Sequence, residues 1–124
     1  MPIKTFAKMA ILLLLSSPII SIAHHSHGNY SLHEYTHLTG KVNKVIWINP
    51  HAWIHLEAAN ENGEKELWAL EGGGLNALAR RGWEKDDIQA GDNISVRCHQ
   101  LRDGANGCLL GYVTTEGGVE KEWD

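Results

Sequence analysis

Histidine is the residue type through which this sequence could do chemistry. Eight histidines occur, and five of them crowd between His24 and His37. Imidazole is the commonest metal-binding side chain, and it suits copper, zinc and nickel. Seven of the eight, all but His99, fall into three groups with different chemical promise.

The first group is His24, His25 and His27. It follows a stretch that reads as a cleavable leader ending at Ala23. Cleavage there gives His24 a free α-amine. That amine and its own imidazole, joined by His25 or His27, form a nitrogen set suited to copper or zinc. The plain alternative is a polar segment that binds metal only adventitiously.

The second group is His33-Glu34-Tyr35-Thr36-His37, which fits the H-E-x-x-H pattern of zinc peptidases. That pattern works when histidines at i and i+4 share one helix face and the glutamate activates water. Ser31 and Glu34 even resemble a capping box. However, Gly40 and a strand pattern follow almost at once, and a chance match is expected in a chain this rich in histidine. A metal-dependent hydrolase is therefore the weakest of the three functions considered.

The third group is His51 and His55, with Trp53 between them. Residues 51–58 alternate, with Ala52, Ile54 and Leu56 on one side and His51, Trp53, His55 and Glu57 on the other. This is the period of a half-buried strand. Four residues of strand span about 13 Å, too far for His51 and His55 to share one ion. Side by side with Trp53, they form a candidate ligand-binding face. The plain alternative is a barrel wall covered by the N-terminal leader.

Other chemistry finds little support. Gly72-Gly73-Gly74 precedes a helix pattern but lacks the Lys-Ser/Thr of a phosphate loop. No Gly-x-Ser-x-Gly occurs. Cys98 and Cys108 flank the turn signal Asp103-Gly104-Ala105-Asn106-Gly107, and strands on either side would bring them opposite each other. In an exported protein an even count reads as a disulfide. No enzymatic constellation emerges.

These residues must be positioned by a small number of elements. Lys4 and Lys8, the apolar run from Ala10 to Leu15, Pro18, and small residues at Ser21 and Ala23 have the layout of a secretory signal. Residues 1–23 are thus expected to direct the chain to the periplasm or outside the cell and to be removed. No stable membrane insertion is then expected. The formal net charge is −4 over 124 residues, and the leader carries two of the positive charges. An acidic domain repels nucleic acid, which leaves a small ligand or a periplasmic protein as the expected partner.

Residues 24–35 read as a histidine-rich flexible leader, residues 36–115 as the folded domain and residues 116–124 as a loose tail. Within the domain, strand patterns begin near Thr36, His51, Glu64, Ile94 and Leu109, and Gly40 suggests a bulge or bend in the first. Leu75, Leu78 and Ala79 have helical spacing, and Gly82 is a natural stop. Trp83 reads as core. The order β-β-β-α-β-β in about 80 residues predicts an all-β domain with one short helix, a five-stranded OB-like barrel.

Several blocks carry a family resemblance. They are Ala23-His24-His25-Ser26, Leu38-Thr39-Gly40-Lys41-Val42-Asn43-Lys44-Val45, Trp47-Ile48-Asn49-Pro50-His51-Ala52-Trp53-Ile54, Asn76-Ala77-Leu78-Ala79-Arg80-Arg81-Gly82-Trp83, and Gly91-Asp92. Together they resemble the exported bacterial family catalogued as domain of unknown function 6152, over nearly all of the chain after the leader. That resemblance implies a fold and a location, and no activity. It places His24, His25 and His51 inside family-like blocks and His33 and His37 outside them. The layout is loosely similar to the periplasmic bacterial OB-fold family.

Overall fold

The computed structural model describes residues 26–124. The expected signal peptide, and His24 and His25 among the expected metal ligands, lie outside the described residues. A 3₁₀ turn, Ser26–Asn29, leads into β1 (Thr36–Ile46), β2 (Trp53–Ala59) and β3 (Lys65–Glu71). These are followed by the helix α1 (Leu75–Arg80), then β4 (Asn93–Gln100), β5 (Gly107–Thr115) and β6 (Glu120–Glu122). Among the described residues, no helix is long and apolar enough to cross a membrane.

β1 is the longest strand, with 11 residues, and it pairs antiparallel with both β2 and β4. β2 pairs with β3, and β4 with β5. A parallel pairing of Ala69–Glu71 with Gly107–Leu109 then closes the sheet on itself. The result is a closed five-stranded barrel with the helix between the third and fourth strands, as the order of elements predicts. Closure leaves the barrel strands without a long free edge, and β6 adds to the outside of β5.

Alternation decides what lies inside. Ala52, Ile54, Leu56 and Ala58 point into the core, and they meet Val42, Leu70, Ile94, Val96 and Val113 from the other strands. Trp53, His55 and Glu57 take the opposite, half-buried side. β2 starts at Trp53, so His51 stands just ahead of the strand instead of within it. The irregularity in β1 lies between Val42 and Lys44, not at Gly40. Gly40 serves a different purpose: a Cβ there would sit 2.1 Å from the Glu57 carbonyl oxygen, so β1 and β2 approach closely at that point.

The disulfide joins Cys98 and Cys108, both fully buried in the core, with their Cα atoms 5.5 Å apart. Cys98 lies opposite Leu110, and Cys108 opposite Gln100. The pair therefore links β4 and β5 diagonally across the ladder, not between directly facing positions.

Both ends of the domain correct the expected boundaries. Residues 116–124 are not a loose tail. β6 pairs with β5, and Trp123 is 1% exposed, its ring set edge-on to Trp47 and Trp83. The Trp123 N–H donates to the Gly111 carbonyl, and the Trp83 indole donates to the Glu122 carbonyl at 2.7 Å. A short charged strand with one aromatic residue is held by contacts distant in sequence, which local composition does not reveal. The N-terminal segment is likewise tied down from Tyr30 onward. Tyr30 is buried and bridges to Leu101, the Ser31 N–H donates to the Gln100 carbonyl, and the Arg102 N–H donates to the Asn29 carbonyl.

Candidate functional site

The site grows from the corner Asn49-Pro50-His51 between β1 and β2. The Asn49–Pro50 peptide is cis. Asn49 Oδ1 accepts the N–H of Leu75 at 2.9 Å. Gly74, the cap residue of α1, has no side chain to satisfy that donor, so a residue 26 positions earlier does it. The Ala52 N–H donates to Gly73, and the Gly72 N–H donates back to Ala52.

The three glycines are thus the strip along which other backbone passes. A Cβ at Gly72 would lie 2.3 Å from the Trp123 ring, and one at Gly74 would lie 2.9 Å from the Pro50 oxygen. Close approach explains the glycines, in keeping with a turn between strand and helix. The helix ends in a Schellman arrangement, with the Trp83 N–H on Leu78 and the Gly82 N–H on Ala79.

At this corner His51 meets a buried carboxylate. Glu71, the last residue of β3, is 3% exposed and is the only buried charged residue among those described. The Tyr30 hydroxyl donates to Glu71 Oε2 at 2.6 Å. His51 Nδ1 lies 3.0 Å from the Gly72 carbonyl oxygen and 3.6 Å from Glu71 Oε1. A carbonyl can only accept, so Nδ1 carries the proton and donates it to Gly72. In the neutral ring the lone pair then resides on Nε2. Burial, reinforced by the neighbouring Glu71 carboxylate, pushes the Tyr30 phenol above the ordinary tyrosine range, so it stays a donor at neutral pH.

Trp53 completes the cluster. It lies opposite Glu71 on β3 and Ile46 on β1. Opposed residues share a sheet face, so the indole stands on the face that carries the carboxylate. His55 is two residues further on, opposite Ala69 and Lys44. The structure therefore gathers His51, Trp53, Glu71 and Tyr30 at one end of the barrel wall, with His55 further along it. Sequence reasoning missed Glu71 and Tyr30. Glu71 ends an apolar strand just before the glycines, which is a faint signal. Its cover comes from 41 residues away and leaves no local trace. The covered-wall alternative is realised in part, since the segment through Tyr30 lies over Glu71.

The other histidines go elsewhere. His33 and Glu34 occupy a turn and bend, and His37 sits within β1, all three exposed. Residues 33–37 form no helix, so the shared face that H-E-x-x-H requires does not exist. His99 donates from Nδ1 to the Glu34 carbonyl at 2.6 Å, and its ring stacks on Tyr35 at 4.4 Å. Beside it, Arg97 packs over Tyr35 and Tyr112 and makes two hydrogen bonds to Glu120. Those bonds raise the Arg97 pKa and lower that of Glu120. His27 lies in the 3₁₀ turn. Among the described residues, no three His, Cys, Asp or Glu side chains group as a metal site.

Fold and site together define a small, disulfide-linked OB-like barrel with a histidine–carboxylate–tyrosine cluster at the β1–β2 corner. Residues 11–110 match a family described as a family of unknown function (DUF6152), and the chain belongs to that family. No curated protein and no solved structure matches the chain.

Proposed function

We propose that the protein is an exported, non-enzymatic binding module that recognises a small ligand or a periplasmic protein through the face of His51, Trp53 and His55. One observation carries this reading. A half-exposed imidazole and indole border the only buried charge among the described residues, Glu71. Burying a carboxylate is costly unless it is hydrogen-bonded, and here a phenol and an imidazole surround it.

The protons in the cluster are already committed. Tyr30 donates to Glu71, and His51 Nδ1 donates to Gly72. That suits a rigid recognition surface better than a site that must move protons. OB barrels bind ligands on the strand-two and strand-three face and its flanking loops, and this cluster lies there. That support is analogy of fold.

The test compares wild type with His51→Ala/Trp53→Ala in pull-downs from periplasmic extract and in melting-shift screens against small ligands. Loss of captured partners or of ligand-induced shifts in a folded double variant is the expected result. Unchanged capture and unchanged shifts would sink the reading.

A further inference from the structure

We infer that the His51–Trp53 end of this face takes a ligand bearing a primary ammonium group, whose N–H donates to His51 Nε2 while its charge packs on the Trp53 indole. This rests on the reading above that the face is a binding surface, and it names the chemistry of what binds there.

His51 sets the polarity of the contact. Its Nδ1 proton is held by the Gly72 carbonyl at 3.0 Å, so the neutral ring carries its lone pair on Nε2. The side chain is 31% exposed, and Nε2 has no hydrogen-bond partner among the described residues. A fixed and reachable acceptor selects a ligand with a donor.

Charge selects among donors. The Glu71 carboxylate is 3% exposed and lies behind the ring, with Oε1 3.6 Å from Nδ1. A buried negative charge is poorly screened and polarises the groups hydrogen-bonded around it, which favours a cationic donor at Nε2. Tyr30 adds no positive charge, since its phenol is a neutral donor to Glu71. The nearby cations are turned elsewhere. Arg102 donates to the Tyr30 backbone carbonyl at 3.2 Å, a side chain's length from the hydroxyl. Lys44 stands opposite His55, two residues further along the wall, and Lys65 pairs with Glu57 at 3.3 Å. The formal net charge of −4 supplies an attractive background.

Trp53 provides the second contact. An ammonium group over an indole face is attracted by the ring quadrupole. The fold already uses that contact once, with Lys121 Nζ 3.9 Å from the Trp83 ring centre. Trp53 is half-buried on the outer side of β2 and carries no such cation among the described residues. One acceptor atom beside one indole fits one N–H of an ammonium. A guanidinium is matched by two acceptors in a plane, and a quaternary ammonium has no N–H to give.

The test titrates n-pentylamine hydrochloride into the exported, isotopically labelled protein in phosphate buffer at neutral pH. The Trp53 indole and His51 ring signals are followed by nuclear magnetic resonance. Pentanol, of the same length and uncharged, is the control, and a capped lysine tripeptide presents the same group as a protein side chain. The expected result is saturable shifts at both residues with a Kd of about 1 mM or tighter for pentylamine. Pentanol should bind at least about tenfold more weakly. His51→Asn still donates to Gly72 but has no second ring nitrogen, and Trp53→Leu keeps apolar bulk without the quadrupole. Each should weaken pentylamine binding about fivefold or more. Tighter binding of the peptide than of pentylamine supports a partner's lysine as the source, and the reverse supports a free amine.

Absent shifts, shifts equal for pentanol, or binding indifferent to either His51→Asn or Trp53→Leu overturns the proposal. If no ammonium probe binds while His51→Ala/Trp53→Ala still abolishes partner capture, the ammonium assignment alone falls and the binding face stands.

Discussion

Glu71 shows how one residue can organise a site. Its oxygens face a phenol from the N-terminal segment and an imidazole from the β1–β2 corner. Replacing Tyr30 with Phe removes the hydroxyl and deprives a buried carboxylate of a donor. Denaturant unfolding should show a loss of about 1–3 kcal/mol. Alkaline pH gives a second readout. The Tyr30 phenol is raised above its unfolded value of about 10. Its contribution to stability is therefore complete below pH 10 and is lost as pH rises further and the unfolded chain ionises first. Ultraviolet titration of the three tyrosines should show one ionising late, and that late phase should vanish in Tyr30→Phe. A late phase that persists in the variant would contradict this assignment.

At the scale of elements, a remote cap holds α1 in place. The helix has only six residues, too few to persist alone, and Asn49 supplies the acceptor for its first N–H. Asn49→Ala should cost about 1 kcal/mol in chemical denaturation. It should also loosen the neighbouring Gly72–His51 contact, visible as faster amide exchange at Leu75 and Ala52. The β4–β5 hairpin has its own constraint in the Cys98–Cys108 bond, which closes a separation of 10 residues. Converting both cysteines to serine should destabilise the fold by about 2–3 kcal/mol on chain-entropy grounds, with a matching fall in Tm under reducing conditions for the wild type alone. The hairpin and its disulfide were legible because the cysteines and turn residues are local. The diagonal pairing was not, because it depends on a register shift between Arg97 and Cys98.

For the molecule as a whole, closure of the barrel and the return of the chain end determine stability. Trp123 fills the gap beside Gly72 and touches Trp47 and Trp83 edge-on. Trp123→Ala should cost about 3–5 kcal/mol, readable as a lowered denaturation midpoint, whereas a loose tail would tolerate it. By itself, the sequence determined the number and order of the barrel strands, the helix, the inward set Ala52, Ile54 and Leu56, and the opposite side that carries Trp53, His55 and Glu57. These follow from periodicity and turn chemistry within a few residues of chain. Only the tertiary structure decided that Tyr30 and Glu71 join His51, that the glycine triplet is a crossing point for Pro50 and Trp123, and that the last residues belong to the core. The contacts of Glu71, of the glycine triplet and of the Trp123 ring join residues 20 or more positions apart, and burial and hydrogen-bond satisfaction across such distances arise only once the barrel has closed.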